Sequence, residues 1–352
     1  MVVSPKRKKV TIKQVAEAAR VSTQTVSRVL NNRPDVAPET RQQILAIIDR
    51  LGYQPSALAR SLIQQRSFTL GVVIAGLRYI GPSRTLNGIT TQAEALGYSL
   101  LLKKLPGFVT DNVEPILNDL LARHVDGIIW AVPEVGDNCA WLEDRLPGLP
   151  VPIIFLTMHQ EATLSTVSID NYLGGRLATE HLLEEGYQHI GHLAGPLSWW
   201  EARQRQAGWR DALAGAGREV KNRFWLEGDW SAQSAVTPCN QLLAQYPEMD
   251  AVFVANDQMA LSVLYVAHRQ RLRVPQELAV VGFDNIPEAA YFCPPLTTIE
   301  HSLHELGCTA VRQLVRIIEA ARESEGVYEP ETVWLKPQLI VRESSPKSKS
   351  IN

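Results

Sequence analysis

Five side chains between Thr23 and Arg28 have the chemistry to read the edges of DNA bases. They are short hydrogen-bonding or cationic groups on the polar side of a helical pattern: Thr23, Gln24, Thr25, Ser27 and Arg28. A helix in the major groove reads bases mainly with its first residues, which here are Thr23 and Gln24. Arg28, one turn further on, can donate two hydrogen bonds to guanine, the most frequent specific base contact. This pattern indicates a recognition helix.

Three helices are predicted around these side chains. Thr11, with Gln14 three residues later, forms a capping-box pattern for a first helix. Ser22 can cap the second helix, and a third helix runs from about Pro38 to Gly52, which ends it. Apolar residues at helical spacing point inward in each helix: Ile12, Val15, Ala16, Ala19, Val26, Val29, Leu30, Ile44, Leu45, Ile48 and Leu51. The sequence therefore predicts an all-α helix-turn-helix head.

Net charge is unevenly distributed along the chain. The 352 residues together carry a formal charge of −2. Positions 1–66 hold twelve Lys and Arg residues and four acidic residues, so this segment is +8 and the remainder is −10. A basic segment on an otherwise acidic chain indicates a polyanionic partner, here double-stranded DNA, with binding that weakens as salt rises.

Short apolar runs alternate with helical segments from Phe68 onward. The predicted strands are 70–74, 99–103, 127–131, 152–156, 190–193, 251–254 and 278–282. The predicted crossover helices are 83–96, 173–185, 201–216 and 259–271. This alternation is typical of an α/β fold with parallel sheets, whose ligands bind at the carboxyl ends of the strands.

Several function classes lack support in the sequence. The four cysteines are scattered without metal-ligand spacing, and GxGxxG, GxxxxGK[ST], GxSxG and HExxH are all missing. We therefore expect no enzyme activity, no cofactor and no metal. The basic N-terminus is not followed by an apolar run, and no stretch of about 20 apolar residues occurs, so neither an export signal nor contact with a membrane is expected. A cytoplasmic location is predicted.

The segment from Val10 to Asn32 and the later run Tyr53-Gln-Pro-Ser-Ala-Leu-Ala-Arg-Ser-Leu62 resemble the LacI/GalR family of bacterial transcription repressors, and the similarity extends to about Glu343. The resemblance implies a helix-turn-helix head over 1–52 and a hinge helix with linker over 53–66. It also implies a core of two Rossmann-like lobes over 67–343, like that of periplasmic sugar-binding proteins, with three crossings between the lobes. The first lobe is expected at about 67–168 and 300–328, the second at about 169–299 and 329–343, and a disordered tail at 344–352.

The same resemblance assigns DNA contacts. It implies base contacts for Thr23, Gln24 and Arg28. It implies phosphate contacts for Ser22, Thr25, Ser27 and Asn31. The hinge helix would dock in the minor groove, with Leu62 as the wedge that kinks the duplex and Ala59 as the small residue of the helix pair. Thr11, Tyr53 and Ser56 complete the predicted DNA-binding set. Arg20 at the turn and Ala37 before the third helix depart from the family pattern, and we expect only a small loss of stability from them.

In the core, the resemblance places an effector site at Arg203, Trp230, Asn256 and Asp284. These residue types suit a sugar, because the polar groups can pair with vicinal hydroxyls and an indole face can pack on ring C–H groups. Two positions after the Thr-Thr-Ile run diverge from the family pattern and hold His301 and Leu303. In the other lobe, Gln160 replaces an aspartate of the family in a loose alignment. Trp199 and Trp200 are adjacent, so at least one should line the cleft, and Trp199 is the candidate.

We therefore predict a homodimeric repressor of carbohydrate-utilisation genes that binds a palindromic operator. A small sugar between the lobes, such as a galactoside, a glucoside or a related disaccharide, would release it from DNA. A regulator responsive to purines or other metabolites, with ligand acting as corepressor, is the alternative within the family. A sugar-binding transport component is the alternative from another class, and the basic head argues against it.

Overall fold

The computed structural model describes residues 10–30, 33–53, 66–105, 107–110, 112–136, 138–322 and 329–347. The chain divides between Ser67 and Phe68 into two compact units, a head and a core. The predicted hinge helix falls almost entirely on residues 54–65, outside the described residues.

The head consists of three helices, α1 (Ile12–Ala19), α2 (Thr23–Leu30) and α3 (Pro38–Leu51). The expected capping box is present, because Gln14 N donates to Thr11 Oγ1 and Thr11 N donates to Gln14 Oε1. Ser22 caps α2 by accepting from Thr25 N at 3.0 Å. Arg20 has a left-handed backbone at the end of α1, with φ of 56°, a conformation that glycine adopts at lower cost.

The apolar face of the head was predicted largely correctly. The buried side chains are Val15, Ala16, Ala19, Val26, Val29, Val36, Ile44 and Ile47. Leu45, predicted as buried, is 48% exposed, and Ile47 takes a place in the core instead. Ala37, at the start of α3, makes no capping hydrogen bond with its side chain, so Pro38 alone marks that start.

The described part of the core contains twelve strands and eight α-helices, one of which has only four residues. The strands are β1 (Thr69–Ile74), β2 (Ser99–Lys104), β3 (Gly127–Ala131), β4 (Ile153–Leu156), β5 (Thr166–Ile169), β6 (Ile190–Ala194), β7 (Trp225–Glu227), β8 (Ala251–Val254), β9 (Ala279–Phe283), β10 (Thr297–Glu300), β11 (Thr332–Leu335) and β12 (Gln338–Ile340). The helices are α4 (Ile80–Ala95), α5 (Glu114–Ala122), α6 (Leu142–Arg145, the short one), α7 (Asn171–Glu184), α8 (Trp200–Gly215), α9 (Ala232–Gln245), α10 (Asp257–Gln270) and α11 (Leu303–Arg322).

Two six-stranded sheets define two lobes. The first sheet has the order β11-β5-β4-β3-β1-β2 and is entirely parallel. The second has the order β12-β10-β9-β8-β6-β7, in which only β12 is antiparallel. The chain crosses between the sheets after β5, after β10 and after β11, so the fold has the three predicted crossings. Helices α4 and α11 pack on the first sheet, while α7 to α10 belong to the second lobe.

One lobe boundary differs from the expectation. Residues 329–343 were assigned to the second lobe, but β11 within them pairs with β5 of the first sheet, Thr332 opposite Thr166. The third crossing lies between Leu335 and Gln338. The segment therefore contributes one edge strand to each lobe, β11 to the first and β12 to the second. The two short apolar runs of the segment did not indicate this division.

The second lobe extends beyond Glu343, the last residue predicted for it. Ser344 and Ser345, expected to be disordered, are both fully buried. Ser344 Oγ donates to Val280 O, and Ser345 Oγ pairs with His181 Nε2 at 2.7 Å. Described residues extend to Lys347, which donates to Glu185 through its backbone amide. This segment therefore belongs to the second lobe. No helix among the described residues is long and apolar enough to cross a membrane.

Candidate functional site

A cleft of about 720 Å³ lies between the lobes of the core. In the first lobe it is lined by the last residues of strands, Ile74, Ala131 and Leu156. In the second lobe its walls come from segments that follow strands and include five of the predicted residues: Trp199, Trp230, Asn256, Asp284 and His301. This is the end of a parallel sheet where ligands bind, and the volume suits a small molecule.

Of the two neighbouring arginines of α8, Arg205 lines the cleft and Arg203, the predicted residue, does not. Arg205 lines the cavity and is buried, with Nη1 3.6 Å from Asp284 Oδ1. Its guanidinium lies 3.7 Å from the ring centroid of Phe283, and its Nε donates to Asn171 Oδ1 at 2.9 Å. These contacts fix the planar group that can donate two parallel hydrogen bonds to a ligand.

Close packing of α7 against α8 sets the position of this arginine. A Cβ at Gly175 would lie 2.2 Å from the carbonyl oxygen of Arg205, and one at Gly208 would lie 2.2 Å from that of Tyr172. Glycine at both positions lets the two helices approach. Successive helical residues project about 100° apart, so Arg203, two residues earlier on α8, projects to another side of the helix.

Arg203 instead joins the two lobes outside the cavity lining. Its Nη2 lies 2.9 Å from Oε1 of Glu134, which belongs to the first lobe, and its side chain is 43% exposed. Glu134 Oε2 also contacts His159 Nδ1 at 2.8 Å. Burial lowers the pKa of His159, but hydrogen bonds to Glu134 and Glu161 outweigh it and raise the pKa above its usual value. Arg203, Glu134 and His159 therefore form an ionic link between the lobes rather than a ligand site.

Asp284 is held at a strained turn that points its carboxylate into the cleft. The φ angles of Asp284 and Asn285 are 107° and 46°, in the left-handed region that non-glycine residues adopt at a cost and often at functional sites. The amide of Asp284 donates to Ile299 O, and its Oδ1 lies 2.9 Å from His301 Nε2. With its side chain 16% exposed, the carboxylate remains accessible to a ligand.

Trp230 and Asn256 form one unit of the cleft wall. Asn256 caps α10 by accepting from Met259 N, and its Nδ2 donates to Trp230 O, both at 2.9 Å. The amide is therefore engaged at both ends, and one hydrogen and one lone pair remain for a ligand. Trp230 has φ of 74°. Its ring lies against Gly195, where a Cβ would come within 2.2 Å of it.

An aromatic contact links the lobes beside these polar groups. Trp199 lines the cavity, and its ring centroid lies 4.8 Å from that of Phe108 in the first lobe and 5.9 Å from that of Trp230. The other tryptophan, Trp200, is buried and does not line the cavity. The expectation that one of the adjacent pair faces the cleft is therefore correct for Trp199. Leu303 also lines the cavity, whereas Gln160 does not.

Several polar atoms of the cleft wall are buried without a hydrogen-bond partner in the part of the chain that the structure describes. They are Trp230 Nε1, His301 Nδ1, Gln258 Oε1 and Glu201 Oε2. Buried polar atoms are nearly always paired, so donors and acceptors left open around one cavity indicate a polar ligand. Glu201 and Gln258 were not predicted. The spacing of Glu201 four residues before Arg205 places both on one face of α8 and was a usable signal.

The predicted base-contacting side chains lie on the open face of the head. Thr23, Gln24 and Arg28 are exposed, whereas Thr25 and Ser27 are half-buried. Arg28 Nη1 lies 3.3 Å from Asp35 Oδ2, with both side chains at least half exposed. A pair in such a position is weak, so base contacts can replace it.

The remaining DNA-binding candidates divide into two groups. Thr11 and Ser22 are exposed at helix N-termini, where free amides attract phosphate. Tyr53 is half-buried and packs against the core of the head. Asn31, Ser56, Ala59 and Leu62 lie outside the described residues. Their assignments remain predictions.

Comparisons with known proteins find matches for both the head and the core. Residues 11–56 match the model of bacterial regulatory proteins of the lacI family, and residues 179–345 match that of a periplasmic binding protein-like domain. The HTH-type transcriptional repressor PurR of Photobacterium profundum is 33% identical over 335 residues, covering 95% of this chain and 98% of that protein. The chain belongs to the lacI family.

Two solved structures extend this likeness to the fold. The lac repressor dimer bound to operator and the anti-inducer ONPF has a TM-score of 0.82 at 32% identity, covering 97% of this chain and all of that one. The complex of the transcriptional regulator CelR with cellobiose has a TM-score of 0.71 at 31% identity, covering 96% and 100%. This lacI-family protein is a DNA-binding transcriptional repressor and not an enzyme, as predicted. This function excludes the alternative from another class, a sugar-binding transport component.

Proposed function

We propose that this repressor controls carbohydrate-utilisation genes and is released from a palindromic operator by a small sugar bound between the core lobes. The protein acts as a cytoplasmic homodimer, each head reading one half-site. The lac repressor dimer bound to operator supports the assembly and the DNA partner. The exposed Thr23, Gln24 and Arg28 provide the groups that read bases.

The choice of a sugar as the ligand rests on the arrangement of polar groups around the cleft. Polar groups surround the cleft on several sides, next to an indole wall: Arg205 and Asp284, together with three atoms that have no partner among the described residues, His301 Nδ1, Gln258 Oε1 and Trp230 Nε1. A sugar ring presents hydroxyls around its whole edge and C–H groups on its faces. Such a ligand can satisfy groups that point from different directions, while its apolar face packs on Trp230.

A purine effector is the second candidate, because the matching repressor PurR is named for that response. A flat base is held best between parallel rings or planar groups. The cavity rings Trp199 and Trp230 meet at 73°, and Phe108 meets Trp199 at 65°. These angles form no parallel slot, so the described aromatic pairs at the cleft favour the sugar.

Release by ligand requires that the two lobe arrangements bind it with different affinity. Two of the contacts between the lobes are those of Arg203 with Glu134 and of Trp199 with Phe108. Both contacts join segments at the cleft. A sugar that changes the angle between the lobes changes these contacts, and the effect reaches the head through the chain that follows Tyr53.

The test is operator binding in the presence of a ligand panel. A palindromic duplex would be selected from a random library with the purified protein and followed by fluorescence anisotropy. We expect one or more mono- or disaccharides to lower operator affinity by about tenfold or more, a coupling of roughly 1–3 kcal/mol, while guanine, hypoxanthine and adenine have no effect. Asp284→Asn keeps the size of the side chain and should retain DNA binding while losing the response. A response to a purine and to no sugar would overturn the assignment.

A further inference from the structure

Glu201 is the second residue of α8 and lines the cleft. Its Oε2 is buried and has no hydrogen-bond partner among the described residues. The other carboxylates of the cleft wall are engaged. Asp284 contacts Arg205 and His301, and Asp229 Oδ1 accepts from Ser231. Among the carboxylates of the cleft wall, Glu201 thus differs in having a buried oxygen without a partner in the described part of the chain.

The position of Glu201 relative to Arg205 is fixed by the helix. The two residues are four apart on α8, so they share one face and are separated by about 6 Å along the axis. This separation is comparable with the width of one six-membered sugar ring. If one ring occupies the site of Arg205 and Asp284, the next ring along α8 reaches Glu201. Trp199, the residue just before the helix, offers an apolar face beside it.

We propose that Glu201 marks a second sugar subsite, so that the effector is a disaccharide whose second ring donates hydroxyl hydrogen bonds to this carboxylate. The proposal rests on the proposed function, since it assumes a sugar in the cleft. It adds a size requirement: a monosaccharide fills the Arg205 end and leaves Glu201 without a partner. The cleft volume of about 720 Å³ leaves room beyond one ring.

The chemistry of a buried carboxylate supports this assignment. A carboxylate accepts hydrogen bonds only, and two hydroxyls on adjacent ring carbons can both donate to it. Burial raises the pKa of Glu201 to about 7, so the group is poorly solvated where it lies. Ligand hydroxyls would replace the missing solvation. Hydrogen bonds to charged groups are stronger than neutral ones, so the second ring should add about 10- to 100-fold in affinity.

The experiment compares matched sugars by calorimetry at pH 8. The pairs are cellobiose with methyl β-glucoside, lactose with methyl β-galactoside, and maltose with methyl α-glucoside. For the pair that binds best, we expect the disaccharide to bind at least about tenfold more tightly than the methyl glycoside. Glu201→Gln keeps the shape but loses the charge, and it should reduce this ratio at least about fivefold.

Two controls separate a binding role from a structural one. Glu219→Gln removes an exposed carboxylate of the same lobe, paired with Lys221 at the surface, and should leave the ratio as it is. The methyl glycoside affinity of Glu201→Gln reports whether the Arg205 end is intact. If both sugars weaken equally, Glu201 has a structural role and the second subsite is wrong.

The outcomes also distinguish this proposal from the one on which it rests. If methyl glycosides bind as tightly as disaccharides and both release operator, the sugar-responsive function stands and the second subsite fails. If the disaccharide is preferred but Glu201→Gln keeps the full ratio, another residue makes the contact and the assignment to Glu201 fails. If no sugar of the panel binds, the proposed function and this inference fail together.

Discussion

Arg203 Nη2 lies 2.9 Å from Glu134 Oε1, so a cation of the second lobe is paired with a carboxylate of the first. Glu134 is the more buried partner, at 17% exposure against 43% for Arg203. His159 contacts the same carboxylate from the first lobe. The pair therefore favours the observed lobe arrangement without occupying the ligand cavity.

Removal of this pair should shift the balance between lobe arrangements. Arg203→Gln and Glu134→Gln are each expected to change effector affinity by about two- to fivefold, since a partly exposed pair contributes about 1 kcal/mol or less. Ligand binding itself should persist, because Arg205 is untouched. Calorimetry on both single variants and the double variant measures the coupling. Additive effects in the double variant would show that the two groups do not interact in solution.

Arg205 is expected to behave differently from its neighbour. Arg205→Lys keeps a positive charge beside Asp284 but loses the planar fork, so effector affinity should fall by at least about tenfold. Arg203→Lys is the matched control on the same helix and should bind effector almost normally. The same calorimetric titration decides between them. Loss of binding in Arg203→Lys, with Arg205→Lys unaffected, would restore the original assignment from sequence.

That assignment shows where sequence reasoning reaches its limit. The family resemblance placed the functional arginine at Arg203, on the helix predicted for residues 201–216. Two arginines two residues apart face different sides of a helix, and the choice depends on helix phase. The phase is set by Gly175 and Gly208 in contact with α7, a tertiary contact that periodicity cannot show.

Strands without a continuous apolar run were the other limit. Strands β1 and β8 were predicted within a residue, because they are continuous buried apolar runs. Strands β5 and β11 contain Thr and Ser or lie at a sheet edge with only partial burial. Neither strand has a clear alternation of apolar and polar residues, so both were missed. Because β11 was missed, the boundary between the lobes was also placed wrongly. Asp284 and Trp230 were found because their residue types matched family positions rather than through any local pattern.

Glu201 also predicts a pH dependence of stability. Its pKa rises on folding from 4.5 to about 7 because the carboxyl is buried. Between these values the unfolded chain releases the proton and the folded protein keeps it, so Glu201 increasingly favours unfolding as pH rises. Glu201→Gln should match wild type near pH 4.5 and exceed it by roughly 1–3 kcal/mol at pH 8.

Urea unfolding of both proteins at several pH values measures this difference. Asp257 has a pKa raised by burial in the same way, but it is present in both proteins and cancels. The charges that act on Glu201, from Glu134, Arg203 and Arg205, also remain in both. A stability difference that does not vary with pH would mean that the Glu201 carboxyl titrates normally in solution.

A methyl group at Gly195 should disturb the ligand site without touching the head. Its Cβ would come within 2.2 Å of the Trp230 ring, so Gly195→Ala must displace that ring. We expect effector affinity to fall at least about tenfold, with operator affinity in the absence of ligand unchanged. Gly215→Ala is the control, because no atom of the described residues beyond its own helix lies within 4 Å of that Cβ. Normal effector binding by Gly195→Ala would exclude Trp230 from the site.

In the head, Arg28 should read a base rather than only pair with Asp35. Arg28→Ala is expected to relax guanine preference at one half-site position by about 1–3 kcal/mol. Asp35→Ala breaks the same exposed pair but leaves the base contact, so it should keep sequence preference and tighten operator binding slightly. Binding to a set of single-base operator variants distinguishes the two. Equal loss of preference in both variants would show that the pair only supports the fold of the head.

If ligand in the core and operator at the head are energetically linked, each must change the affinity of the other by the same factor. The measurement is the affinity of the best sugar from the panel, by calorimetry, with and without saturating operator duplex. We predict that operator weakens sugar binding by the same factor by which the sugar weakens operator binding, as linkage requires. Identical sugar affinity in both conditions would contradict the account.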